Sequence, residues 1–135
     1  MTLNYTDFMS QSRDILNHLT DGEISYRCAI SRSYYGVYHA ALNFADTVSV
    51  PPLSSMGGSS HRKLSSYFEG SFHEDKDLRL KYRKLGYSLK QLHDMRCRAD
   101  YELGGPISRA DAEIHIERCD LRISEIEGLS KAIAA

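Results

Sequence analysis

The sequence predicts an all-α protein, an up-and-down helical bundle of four to five helices. Three observations predict it. Apolar residues recur three and four positions apart through long segments, the period of one helix face. No segment alternates apolar and polar residues as a half-buried strand does. The breaks in the pattern fall on helix-stopping signals: Asp21-Gly22, the run Pro51-Pro52-Leu53-Ser54-Ser55-Met56-Gly57-Gly58-Ser59-Ser60, and Gly104-Gly105-Pro106. At 135 residues the chain has the length of a single domain, residues 1–135, and can bury roughly two thirds of its unfolded surface.

The first helix is expected from about Thr6 to Leu19, capped by Thr6, with Phe8, Ser12, Ile15, Leu16 and Leu19 on its inner side. The second runs from about Ile24 to Val48, and Ile30, Tyr34, Val37, Ala41, Phe44 and Val48 form its core stripe. The Pro51–Ser60 run reads as a mobile loop with almost nothing to bury, too short to divide domains. A short third helix follows from His61 to Phe68, capped by Ser59 or Ser60. The fourth spans about Asp75 to Leu103. Its stripe is Leu78, Tyr82, Leu85, Leu89, Leu92, Arg96, Ala99 and Leu103, a seam holding a single charge. Gly104 supplies a left-handed stop and Pro106 forbids continuation. Ser108 with Asp111 reads as the next start signal, with Ile107 stapled against Ala112. The last helix carries Ala112, Ile116, Cys119, Ile123, Ile126 and Leu129 inward.

Composition excludes several classes. No apolar run approaches the ~20 residues that span a bilayer, and the N-terminal residues lack the basic-then-apolar layout of a signal peptide. Three cysteines form an odd set without disulfide spacing, so reduced thiols in a cytoplasm are expected. Seventeen basic residues against eighteen acidic ones leave a net charge of −1, so any nucleic-acid contact must come from a local patch. No Ser-His-Asp set, phosphate-binding glycine loop or dinucleotide fingerprint is visible, and no cofactor is implied.

Arg96 poses the central question, because it stands on the greasy stripe just before its helix ends. Asp100 lies four residues on, at the spacing of a local ion pair, and the aliphatic stem can lie along the seam. The functional alternative sets Arg96 and Arg98 beside Tyr101 at a helix terminus. A planar guanidinium suits phosphate oxygens, and Tyr101 or Asp100 could move protons. On the second helix, Arg32, Tyr35, Gly36 and His39 share a face opposite the stripe. Gly36 costs that helix about 1 kcal/mol relative to alanine, so a close neighbour is expected there, a second helix or a ligand. His61 opens the third helix, where backbone amides favour an anion; beside Arg62 and Lys63 it also reads as an ordinary surface histidine. His93/Cys97 and His115/Cys119 are two pairs at helical spacing. They could meet as a two-Cys, two-His zinc site, but Cys119 belongs to the core stripe and structural zinc sites show tighter loop-based spacing. No metal is expected.

These residues resemble the HEPN superfamily of helical bundles, most closely the small prokaryotic members paired with a minimal nucleotidyltransferase in toxin–antitoxin or defence systems. Ser31-Arg32-Ser33-Tyr34-Tyr35-Gly36-Val37-Tyr38-His39-Ala40-Ala41 resembles their arginine-tyrosine-tyrosine helix. Ser60-His61-Arg62-Lys63-Leu64 with Phe68 resembles the start of their third helix, and Arg96 with Ala99-Asp100-Tyr101 the end of their long one. The likeness spans Tyr26 to Tyr101. It implies a homodimer and a metal-independent endoribonuclease acting on RNA, with a cognate nucleotidyltransferase antitoxin as a further partner. It also implies that Arg96 stands on the stripe because the stripe faces a second protomer across a cleft. There Arg96 would hold the scissile phosphate, Arg98 and Arg32 would support it, and Tyr101, Asp100, His61 or His39 would manage protons. One departure stands out. The family arginine is followed four to six residues later by a histidine, whereas this chain has Tyr101 and no histidine until His115. A histidine titrates near 6.5 and a tyrosine near 10, so Tyr101 suits a general acid better than a base. The alternative reading is a non-catalytic module that binds RNA or nucleotide and partners a nucleotidyltransferase. A third is a purely structural domain in which Arg96 and Asp100 are a simple ion pair.

Overall fold

The computed structural model describes residues 2–134. It contains five α-helices and, among the described residues, no strand: α1 Tyr5–His18, α2 Glu23–Val48, α3 Ser60–Glu69, α4 Lys76–Tyr101 and α5 Arg109–Ala134. No described helix is long and apolar enough to cross a membrane. The all-α bundle expected from the periodicity is the observed architecture.

α2 is its axis, packing against α1, α5 and α4, while α3 lies on α4. Ile30, Val37 and Ala41 are fully buried, and Tyr34 and Phe44 nearly so. Gly36 meets α1 of the same chain: a Cβ built there would stand 2.6 Å from Met9 Sδ. The close neighbour expected at Gly36 is therefore an internal helix, not a ligand or a second subunit. Met9 consequently takes the buried place expected for Phe8, which is only partly covered. Gly86 is tighter still. A Cβ there would lie 2.5 Å from Glu69 N and 2.8 Å from Ser65 O, so its absence lets the backbone of α3 approach α4. α1 and α5 are tied by the Arg13–Asp120 ion pair and by Tyr5, whose hydroxyl donates to Glu127 at 2.7 Å.

The helix ends correct the sequence reading in several places. Asn4, not Thr6, caps α1, and the Asp7 carboxylate accepts from Asn4 N at 2.8 Å to close a reciprocal capping box. Leu19 lies past the end of α1 and is 61% exposed. The Ser108–Asp111 start signal forms as expected, each residue's side chain accepting from the other's backbone N–H. Gly104 does not provide a left-handed stop; Gly58 alone among the described glycines has a φ in the left-handed region. α4 ends at Tyr101, and Leu103 is 73% exposed. Its terminal carbonyls are met by a side chain from α2. The Arg27 guanidinium, nearly buried, donates to Ala99 O at 2.9 Å, Gly105 O at 2.6 Å, Glu102 O at 3.2 Å and Arg98 O at 3.3 Å. A cation at a helix C-terminus also complements the helix dipole. Glu23, one turn before Arg27, accepts from Ile107 N at 2.7 Å and so ties the α4–α5 connection to the same place. The expected Pro51–Ser60 loop ends one residue early, since Ser60 opens α3, and it is not unpacked. It holds a short 3-10 turn, Leu53–Ser55, whose Leu53 is buried, and Asp46 accepts from Ser54 N at 2.8 Å.

Candidate functional site

The site forms where one face of α2, the start of α3 and the last turns of α4 come together. Arg96 reaches it from α4 along the seam, its side chain only 12% exposed. The guanidinium carbon lies 5.2 Å from the centre of the Tyr35 ring and 5.6 Å from that of Tyr101, so two aromatic faces carry its charge. Asp100 Oδ2 is 3.0 Å from Arg96 Nε. The N–H is not aimed at that oxygen, so this buried nitrogen has an ion-pair partner without a hydrogen bond. Asp100 in turn accepts from Ser31 Oγ at 3.2 Å. Burial opposes the charge on Arg96, but Tyr35 and Asp100 outweigh it, and the guanidinium is held protonated more firmly than usual. An arginine thus occupies an apolar seam because its stem packs there and its head finds π faces and a carboxylate within its own chain.

Two histidines stack beside it. The rings of His61, at the start of α3, and His93, on α4, lie 4.5 Å apart and 28° from parallel. Tyr34 OH is 2.6 Å from His61 Nδ1. Burial pushes the Tyr34 hydroxyl's pKa well up, so it keeps its proton and can donate it to His61. Nδ1 of His61 is then the acceptor, and the ring proton of neutral His61 sits on Nε2. Burial lowers the pKa of His61, helped by His93 and by the Arg96 charge. Burial and then Arg96 do the same to His93, against a small opposing pull from Asp94. Both rings are therefore neutral at pH 7, beside a fixed cation. His93 Nε2 also touches Cys97 Sγ at 3.5 Å. A groove of ≈350 Å³ opens over the pair, lined also by Ser59, Arg62, Lys90 and Asp94.

The residues singled out from sequence divide clearly. Arg96, Asp100, Tyr101 and His61 are brought together. Arg32 joins at the margin: its guanidinium lies 5.3 Å from the Tyr35 ring, on which Arg96 also rests, and 6.0 Å from Phe8. His39 lies on the α1 side, its ring 5.1 Å from those of Phe8 and Tyr38, with its pKa lowered by burial alone. Arg98 departs from the cluster. Two residues beyond Arg96 on a helix, it is exposed toward the α4–α5 connection, where its charge acts on Asp111. The sequence marks His93 as a zinc candidate, and Tyr34 as a core position within the arginine-tyrosine-tyrosine motif; both belong to the site. The spacing of His93 three residues before Arg96 was the available signal, since i and i+3 share a helix face.

The zinc arrangement does not assemble. Among the described residues no three His, Cys, Asp or Glu side chains gather where a metal ion could sit. His115 is buried on the α5 side, its Nδ1 3.0 Å from Ser33 Oγ and 3.7 Å from Cys119 Sγ. All three cysteines are free thiols. Comparison with protein-family models, curated proteins and solved structures finds no match to this chain.

Proposed function

We propose that this chain is a homodimeric, metal-independent endoribonuclease of the HEPN type, of the kind that acts as a toxin in the cytoplasm. The observation that carries the reading is the neutral His61–His93 pair, which lines an open groove and feels the fixed charge of Arg96 beside it. A cation that can face a phosphate, next to a neutral imidazole, is the minimum that RNA transesterification asks of a protein. The reaction uses the substrate's own 2′-hydroxyl. Its proton passes to the His93 imidazole as O2′ bonds to phosphorus, and the P–O5′ bond breaks with Arg96 stabilising the charge on the phosphoryl oxygens. The departing O5′ takes a proton from the hydroxyl of Tyr101, a residue that is 71% exposed. A 2′,3′-cyclic phosphate and a 5′-hydroxyl result, and water returns the proton from imidazolium to phenolate. His61, with its proton on Nε2, donates a hydrogen bond to the phosphate. Tyr101, exposed beside Arg96, and the exposed Leu103 just past the end of α4 suit coverage by a second protomer.

A second reading has its own support. Asp100 already lies 3.0 Å from Arg96, and a phosphate must compete with that carboxylate. A module that binds RNA or nucleotide without cleaving it, alone or with a nucleotidyltransferase, uses the same residues. Incubating the purified protein with total RNA in excess EDTA separates the two. Fragments ending in cyclic phosphate support the ribonuclease, whereas Arg96-dependent binding without cleavage supports the module.

A further inference from the structure

The chain is acidic by one charge, but its charge is unevenly spread. Between Lys76 and Gln91, α4 carries Lys76, Arg79, Lys81, Arg83, Lys84 and Lys90 against the single acid Asp77. That segment bears +5, and the rest of the chain therefore −6, for a total of −1. All six basic residues except Arg79 are exposed. Among the described residues only Lys90 meets a carboxylate, that of Glu69 at 2.7 Å. Arg79 and Arg83 donate to the backbone carbonyls of His73 and Ser71, which fixes their direction without neutralising them. In the middle of this face stands Tyr87, 58% exposed. Helical spacing places Arg83, Lys84, Lys90 and Gln91 around it. Lys90, together with Arg62, also lines the groove over His61 and His93.

We propose that the outer face of α4 is a single-stranded RNA track that feeds this groove, an inference that rests on the ribonuclease reading. Tyr87 stacks a base, and the surrounding lysines and arginines hold phosphates. Lys76 to Lys90 is roughly 20 Å of helix, long enough for a few nucleotides. The charge pattern favours a polyanion over a bilayer. The large apolar residues exposed on this stretch of α4 are Leu80 and Tyr87, far short of the broad apolar face by which a helix lies in a membrane surface.

The test is fluorescence anisotropy of labelled oligouridylate across a salt series, with phosphatidylserine vesicles as a second probe. Arg83→Gln/Lys84→Gln, Tyr87→Ala and Tyr87→Phe are compared with wild type. Loss of two phosphate contacts flattens the log–log salt slope by about 1.4, at about 0.7 per contact on a single strand. Tyr87→Ala weakens binding roughly 5- to 150-fold, the range for one stacked base, and leaves the slope unchanged. Tyr87→Phe keeps the stacking and binds as wild type. Unchanged affinity and slope in both loss variants would overturn the track, as would vesicle binding that depends on Arg83 and Lys84 without RNA binding. Cleavage by wild type and Arg96→Lys, measured on the same preparations, keeps the two ideas apart. Normal binding by the track variants with Arg96-dependent cleavage rejects the track and keeps the ribonuclease. Lost binding in the variants with no cleavage by wild type keeps the track and rejects the ribonuclease.

Discussion

Arg27→Met should be the most damaging single substitution outside the apolar core. Methionine matches much of the stem's length and apolar character but removes the cation that closes the end of α4. The guanidinium's two shortest bonds run to Ala99 O at 2.9 Å and Gly105 O at 2.6 Å. Bonds from a charged donor contribute about 1.5–3 kcal/mol each. The contacts to Arg98 O and Glu102 O are longer and only part-buried, so water can replace them. Ala99 is itself 1% exposed, and its carbonyl would be left without a partner. Counting the two short bonds, and allowing for some re-solvation near Gly105, gives a loss of about 3–4 kcal/mol. For a domain of this size that lowers Tm by roughly 10–15 °C. Arg27→Lys keeps the charge but offers donors from one atom only, so it should fall between. The assay is thermal unfolding by circular dichroism, with urea unfolding to supply the free energy. An Arg27→Met protein melting within about 3 °C of wild type would refute the role given to this side chain.

Other outcomes follow from the same packing. Burial lowers the His115 pKa from 6.5 to about 4, so the unfolded chain takes up a proton between those values while the folded chain does not. Stability is therefore complete above pH 6.5 and falls by about 1.4 kcal/mol per unit below it, roughly 3 kcal/mol in all. Urea unfolding at pH 7 and pH 5 measures this, and His115→Gln should flatten the dependence. Gly86→Ala pushes a Cβ against the α3 backbone at Glu69 and Ser65 and should cost about 1–3 kcal/mol by denaturant unfolding. Light scattering at micromolar concentration should give the mass of a dimer; a monomer mass would remove the composite cleft.

The legible parts of this fold were those in which a residue's role is set by its own helix. All six residues of the α5 stripe, Ala112 through Leu129, are buried because their spacing alone defines a face. The cap at Ser108 was visible for the same reason, since its partner lies three residues away. Arg27 was not legible, because the carbonyls it meets lie 71 to 78 residues further along the chain. Nothing in the residues next to Arg27 marks such a partner. Gly86 was missed because nothing local says that another helix's backbone passes there. Tyr34 shows a subtler limit: its ring fits the core stripe as the period requires, while its hydroxyl reaches His61 across to α3. The Arg96–Asp100 pair was read from spacing, but the aromatic faces holding Arg96 in the seam come partly from α2 and needed the fold.

Arg96→Lys is the substitution that bears most directly on the proposed chemistry. Lysine keeps the positive charge near Asp100 but loses the planar fork that matches phosphate oxygens. The measurement is the rate of RNA cleavage in excess EDTA, taken beside the thermal midpoint of the same protein. If Arg96 faces the transferring phosphate, the rate falls by about 10²–10³ with little change in Tm. A stable Arg96→Lys protein that cleaves RNA at the wild-type rate would contradict the assignment and leave Arg96 and Asp100 as a structural pair.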